Sequence, residues 1–328
     1  MGAVKPGDGR TAFVTGAAGV MGIRLVRGLI DAGWKVRALV LPGDRMQRHL
    51  AQMGCEIREG NVADAASLRG VCDGVDTVYH LAAVIISHDP SVFTRVNRDG
   101  TANVVAEAVR AGARHLIYVS SASVTYPKLT RYGQSKLDAE GIVKSATSML
   151  YTIVRPTLVY DAGGGQEVLM YLDYLGRFPL VPFIGTGRAL KRPVWAGDIM
   201  DGLLRLAGNP VAYGKTYNFS GPDAVTIAEL GKKLLALHGL RRLFVPIPVV
   251  LCRALARVLA RVMTRPPLTP NAIAGIVNDA NLDPTLAMRE LGYRPISLDE
   301  GLRRCFTVKS LGRQRPTALD PKPEGNPP

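Results

Sequence analysis

Through the first half of the chain, short runs of apolar and β-branched residues alternate with longer stretches whose apolar positions recur at helical spacing. The short runs fall at Thr11–Thr15, Lys35–Leu41, Glu56–Glu59, Thr77–His80, His115–Ser120 and Thr152–Arg155, and predict strands. Among the longer ones, Met21–Ala32 and Thr101–Ala111 predict helices, each closed by a glycine, Gly33 and Gly112. Strand, helix, strand at that interval builds a parallel sheet with right-handed crossovers, so the expected fold class is α/β with a doubly wound sheet. After Tyr160 the rhythm changes. Gly163–Gly165 and Phe178–Gly187 read as loops, Gly197–Ala207 as a helix and Thr216–Phe219 as a strand. The expected organisation is a sheet domain over residues 1–160, with returning segments near 191–220, and a smaller C-terminal lobe over 161–190 and 221–306. Residues 307–328, proline-rich from Arg313, are expected to form a disordered tail.

Of the 328 residues, 47% are hydrophobic and 21% charged, the balance of a packed soluble protein. Cys55, Cys72, Cys252 and Cys305 are scattered, with no CxxC pair and no cluster at metal-ligand spacing. That argues against a metal site and for reduced thiols in a cytoplasmic setting. No apolar leader run precedes the first strand, MGAVKP lacks the hydroxyl residue of a myristoylation signal, and no run of about 18 apolar residues occurs. Secretion, a lipid anchor and a spanning helix are therefore not expected. The formal net charge of +14 attracts polyanions such as nucleotide cofactors, sugar nucleotides or acidic membrane surfaces. Nucleic acid is not an expected partner, because no zinc-finger, RNP or KH signature accompanies the charge.

The first strand leads through Phe13-Val14-Thr15 into Gly16-Ala17-Ala18-Gly19-Val20-Met21-Gly22. Glycines there permit a tight turn and let backbone amides approach a pyrophosphate, toward which the following helix turns its positive end. A lone glycine-rich match is as often a turn without a ligand. One that follows the first strand and opens a helix is much better evidence for a dinucleotide.

The spacing is TGxxGxxG, and with three further motifs it resembles the extended branch of the short-chain dehydrogenase/reductase family, the NAD(P)-dependent epimerases and dehydratases. His80-Leu81-Ala82-Ala83, Asn97-Arg98-Asp99-Gly100-Thr101 and Tyr132-Gly133-Gln134-Ser135-Lys136 match its strand-end, NxxGT and YxxxK motifs. The resemblance covers Thr11 to Phe306. It implies a Rossmann-type sheet that binds NAD or NADP through Gly16, Ala18, Gly19, Val20, Met21 and Gly22. Leu81, Ala82, Ala83, Pro156 and Leu158 complete the implied cofactor site. Leu41 replaces the acidic residue with which NAD-binding relatives hold the ribose. Arg45 and Arg48 lie just beyond it, either to meet a 2′-phosphate or to face solvent, and the reading leans slightly to NADP. Asn61-Val62 stands where relatives carry Asp and an apolar residue beside the adenine.

Tyr132 and Lys136 are four residues apart and share a helix face. A phenol with a pKa near 10 is a poor base at neutral pH, and an adjacent ammonium favours the phenolate. The resemblance implies that Tyr132 exchanges a proton with a substrate hydroxyl while hydride passes to or from the nicotinamide. It also implies that Lys136 holds the nicotinamide ribose and that Asn97 helps hold Lys136 through water. In Ser120-Ser121-Ala122-Ser123-Val124 it makes Ser121 the donor to the reacting oxygen, with Ser123 a near neighbour and Ser120 serving the strand end. Ser121, Tyr132, Lys136 and Asn97 are thus the candidate catalytic group. Only ten residues separate Ser121 from Tyr132, about half of what many extended relatives place over the substrate.

Gly185–Val194 resembles the segment with which sugar-nucleotide enzymes bind a diphosphate. It makes Lys191 and Arg192 candidate substrate ligands, the alternative being a solvated basic loop. Arg155–Tyr160 resembles RPxxVYG with Asp161 in place of the last glycine, and Trp195 is either core or a stacking surface. The short loop and the ending Asp283–Pro295 resemble the subgroup that includes the nucleotide-binding accessory subunit of respiratory complex I. Its members range from enzymes to structural NADPH binders. The 3β-hydroxysteroid dehydrogenases are a second resemblance.

From Leu230 to Asn278 no acidic residue occurs, while Arg253, Arg257, Arg261 and Arg265 recur every four residues among leucines and valines. Val249–Met263 therefore predicts an amphipathic basic helix, preceded by the apolar Phe244–Val250. Residues 244–265 are either a peripheral membrane contact or a lobe element with its apolar face inward and its arginines solvated. The expected function is NAD(P)-dependent oxidoreduction of a secondary alcohol or ketone, with a nucleoside-diphosphate-sugar epimerase or dehydratase first. A hydroxysteroid- or isoprenoid-type alcohol dehydrogenase is the second reading, and a non-catalytic NAD(P)H-binding subunit the third. The expected partner is a small-molecule substrate; a homodimer stays open.

Overall fold

The computed structural model describes residues 8–87, 89–162, 166–263 and 268–306. The tail expected at 307–328, the loop at Gly163–Gly165 and Arg265 lie outside the described residues. The first half runs β1 (Thr11–Thr15), α1 (Val20–Asp31), β2 (Lys35–Val40), α2 (Gln47–Gln52), β3 (Glu56–Glu59) and β4 (Thr77–His80). It continues through α3 (Gly100–Arg110), β5 (His115–Val119), α4 (Arg131–Ser145) and β6 (Leu150–Pro156). The second half runs β7 (Val159–Tyr160), α5 (Gln166–Arg177), β8 (Leu180–Ile184), β9 (Leu190–Lys191), β10 (Val194–Trp195), α6 (Ala196–Leu204) and β11 (Lys215–Phe219). It closes with β12 (Val225–Thr226), α7 (Ile227–Leu237), β13 (Leu243–Ile247), α8 (Val249–Val262), α9 (Pro270–Val277), α10 (Thr285–Leu291) and α11 (Leu298–Cys305).

Seven parallel strands form the central sheet in the order β11-β6-β5-β4-β1-β2-β3. β4 and β5 are buried at every residue, which is why they show no alternation of inward apolar and outward polar positions. Successive side chains of β1 serve opposite layers. Ala12 and Val14 join Leu25, Leu29 and Leu203 on one face, and Phe13 joins Val104, Val105 and Val143 on the other. β1 lies between β2 and β4, so the winding reverses there, and the crevice at the C-terminal ends of those strands is where such sheets take ligands.

Tyr160, Val168, Phe183, Leu230, Leu234 and Leu302 make a separate lobe core. Phe178–Gly187, expected as a loop, instead contains β8, which pairs in parallel with β13 from Leu180↔Leu243 to Ile184↔Ile247. Pro182 and Pro246 hid these strands in the sequence. A two-stranded ribbon is all edge, so prolines that cannot donate on the open side leave it intact. α10 departs from the expected boundary, because Ala287, Leu291 and Tyr293 pack into the sheet-domain core and not into the lobe. The basic helix forms as α8, but its inward face consists of small residues, Cys252 and Ala256, set against Ile273 of α9. Leu251, Leu255, Val258 and Val262 are exposed, while Leu259 is half-buried beside that inward face.

Candidate active site

Gly16 leaves β1 at φ +70°, and a Cβ there would stand 2.8 Å from Ala82 N. A Cβ on Gly22 would fall 2.1 Å from Gly16 O, so only a hydrogen lets α1 start this close beneath the loop. Gly19 caps α1 without a side-chain bond, leaving the positive helix end and its first amides to an anion. This cradle fits a pyrophosphate. Its side chains play little part: Ala18 and Met21 pack toward the core and Val20 is exposed, so the loop presents backbone. Leu81, Ala82 and Ala83 lie partly exposed at the end of β4, with Ala82 N donating to Thr15 Oγ1 at 3.2 Å. Pro156 is buried at the end of β6, and Leu158 borders the lobe core.

Leu41, Arg45 and Arg48 are exposed beyond β2. Asn61 Oδ1 accepts from Ala63 N at 2.9 Å, a local turn bond. Val62 departs from its expected place beside an adenine. Its side chain is buried in the core, because Gly100 lets α3 close on it; a Cβ at Gly100 would stand 2.9 Å from Val62 Cγ2.

α4 carries the tyrosine and lysine. Thr130 caps it by accepting from Gly133 N at 3.0 Å. At Gly133 a Cβ would meet Ser123 O at 2.8 Å, so the glycine lets α4 close onto the serine turn. Ser121 accepts from Ser123 N at 3.1 Å and from Ser123 Oγ at 3.0 Å, and its hydroxyl is near enough to the Tyr132 phenol to favour the phenolate. Burial pushes that phenol above its ordinary pKa, and the Ser121 hydroxyl pulls the other way.

Lys136 is 1% exposed and engaged elsewhere: Nζ donates to Val119 O at 2.7 Å and lies 4.2 Å from the centre of the Tyr118 ring. Burial lowers it to about 7, opposed by the charge of Glu140. The expected lowering of the tyrosine by an adjacent ammonium is thus replaced here by the serine hydroxyl. Asn97 is fully buried in a π-helical stretch, Phe93–Asp99. Its Oδ1 accepts from Val84 N at 2.8 Å, while Nδ2 donates to Val84 O at 3.0 Å and Ser135 Oγ at 3.1 Å, clamping the chain after β4 to α4.

Behind this group stand residues that the sequence reading missed. Glu140, 1% exposed, accepts from Ser120 Oγ at 2.7 Å and from Arg155 Nε and Nη2 at 2.8 and 2.6 Å. Burial raises its carboxyl, but Arg155, Ser120 and Lys144 together hold it below the ordinary range. The available signal was a glutamate four residues after Lys136, on the same helix face. His80 is fully buried between Thr15 Oγ1 at 2.7 Å from Nδ1 and Thr101 Oγ1 at 2.9 Å from Nε2. Thr101 donates onward to Asn97 O at 2.5 Å, so His80 carries its proton on Nε2 and accepts from Thr15. Burial, with Lys136 nearby, lowers it to about 3, so the ring is neutral.

The two candidate phosphate ligands are engaged within the lobe. Lys191 is 2% exposed, and its Nζ donates to Gly275 O at 2.8 Å and to Asn278 O, carbonyls at the C-terminal end of α9 that a cation satisfies. Arg192 donates to Asn281 Oδ1 at 2.7 Å and Pro222 O at 2.6 Å. Both tie the lobe together. Asp161, standing in place of a glycine, is 2% exposed and pairs with Arg24 of α1 at 2.5 Å. Trp195 borders the lobe core with the Arg304 guanidinium 5.2 Å from its ring centre. A lobe cavity of about 520 Å³ is lined by 184–189, 246–249, Ile276 and Val277, apolar or glycine except for Thr186 and Arg188.

A family model described as NAD(P)H-binding matches residues 16–175. The chain is 33% identical to a ceramide reductase of Caulobacter vibrioides over 52% of this chain and 53% of that protein, so it aligns with about half of that relative. It is 26% identical to a 3β-hydroxysteroid dehydrogenase/Δ5→4-isomerase of Mycobacterium tuberculosis, over 95% of each chain. The solved dTDP-glucose 4,6-dehydratase of Streptomyces venezuelae, with NAD bound, superposes with a TM-score of 0.70 at 23% identity, covering 93% of this chain and 98% of that one.

Proposed function

We propose that this chain is an NAD(P)-dependent enzyme of the extended short-chain dehydrogenase/reductase family that interconverts a secondary alcohol and its ketone on an apolar, lipid-like substrate. The observation that carries the substrate class is the position of Lys191 and Arg192. Lys191 Nζ is bonded to carbonyls of the lobe, and Arg192 commits Nε and Nη1 to it, which weighs against the diphosphate clamp on which the sugar-nucleotide reading rested. The names of the ceramide reductase and the hydroxysteroid dehydrogenase support the same choice.

In this reading Tyr132 gives its proton to the carbonyl oxygen in reduction and takes one from the hydroxyl in oxidation. Ser121 donates a hydrogen bond to the same oxygen, held in place by Ser123. Asn97 and the Ser120–Glu140–Arg155 network fix the helix that carries Tyr132. Gly16, Gly19, Gly22 and the end of α1 would hold the pyrophosphate, with Lys136 at the ribose. A nicotinamide held there supplies the two-electron step. Arg45 and Arg48, with no acidic residue at position 41, favour NADP.

The test is a panel assayed with NADPH and with NADH: long-chain 3-ketones, a 3-ketosteroid and UDP-glucose. Reduction of the ketones, with kcat/KM rising with apolar chain length and higher with NADPH, is the expected result. Turnover of UDP-glucose with none of the ketones overturns the substrate class.

A further inference from the structure

We propose that α8 docks this protein on the surface of an anionic phospholipid bilayer. Leu251, Leu255, Val258 and Val262 form one stripe along the helix, and they are 59%, 52%, 52% and 72% exposed. The face turned into the lobe is made by Cys252 and Ala256, with Leu259 half-buried beside them, so these four large apolar residues face the outside. Arg253, Arg257 and Arg261 occupy a third face, all exposed. The apolar surface continues onto the strand that feeds α8, where the register partners Leu243 and Leu180 are 65% and 57% exposed.

The charge selects the occupant. No carboxylate lies between Leu230 and Asn278 to balance these arginines. A second copy of this chain would bring the same uncompensated cations together across the interface. A bilayer with anionic headgroups answers both faces: acyl chains take the leucines and valines, and phosphates take the arginines. No described helix is long and apolar enough to cross a membrane, so the attachment lies in the interface. The proposal does not depend on which alcohol the enzyme uses.

The experiment is sedimentation of the full chain with phosphatidylglycerol-containing vesicles and with pure phosphatidylcholine vesicles, at low and raised salt. The wild type should sediment with the anionic vesicles, more weakly as salt rises. A juxtamembrane arginine is worth about a fivefold change in partitioning. R253Q/R257Q/R261Q should therefore lower it on the order of 100-fold. L251Q/L255Q/V258Q should release the protein while leaving circular dichroism and NAD(P)H binding unchanged, because these side chains are more than half exposed. A wild type that stays in the supernatant at low salt overturns the proposal. So does a dimer, seen by light scattering, that the apolar variant splits without any vesicle binding.

Discussion

Each functional side chain here works through a neighbour that positions it. Tyr132 meets Ser121, Ser121 is held by Ser123, and Lys136 is turned to Val119 O with Glu140 one helical turn on. Removing the tyrosine hydroxyl leaves all the other contacts standing. Tyr132→Phe should thus abolish turnover while NAD(P)H affinity stays within about threefold, since in the proposed reading the glycine loop carries the dinucleotide and the substitution does not touch it. Stopped-flow turnover and fluorescence titration of the same preparation check this; near wild-type rates would remove Tyr132 from the mechanism. Residue identity alone did not reveal the partners. Asn97 was readable as a motif residue, but its hold on Val84 and Ser135 depends on a π-helical turn that no spacing announces.

At the scale of elements, Gly22 sets how closely α1 approaches the site. A side chain at Gly22 would meet only backbone, Gly16 O at 2.1 Å and Ala17 Cα at 2.7 Å, with no flexible end to give way. Gly22→Val should weaken dinucleotide binding by more than about 100-fold and lower the melting temperature. Gly141 is the contrast: it lies on α4 with nothing within 4 Å of an added Cβ. Gly141→Ala should stabilise by on the order of 1 kcal/mol through helix propensity alone. Calorimetric titration and thermal melts of the pair decide it. Unchanged cofactor affinity in Gly22→Val would break the loop assignment.

Across the whole molecule, burial of neutral histidines gives stability a pH dependence. His80 and His115 are at most 1% exposed, and burial lowers each to about 3. The unfolded chain takes up protons near the ordinary histidine value of about 6.5 while the native state does not. Stability is therefore fully present above about pH 6.5 and is lost progressively as pH falls toward 3. By pH 5 each histidine accounts for a loss of about 2 kcal/mol. Asp198, raised by burial to about 6, binds a proton in the native state over the same range and offsets part of that loss. Urea unfolding at pH 7 and pH 5 should show a net drop of about 3 kcal/mol. An equal midpoint at the two pH values would show that the histidines are not held neutral.

The strands of the sheet, the glycine loop and the Tyr132–Lys136 pair were legible in the sequence, because each is a local pattern with one physical solution. A parallel strand covered on both faces must be apolar throughout, a close backbone approach demands glycine, and residues four apart share a helix face. What lay beyond were interactions decided by partners far along the chain. Lys191 reads as a phosphate ligand until α9, 84 residues away, presents its carbonyls. Pro182 reads as a loop residue until β13 pairs with β8. Leu251 and Leu255 of α8 read equally as core or as surface. Only tertiary packing, which fits Cys252 and Ala256 against α9, turned them outward, because the space between two helices admits small side chains and excludes large ones.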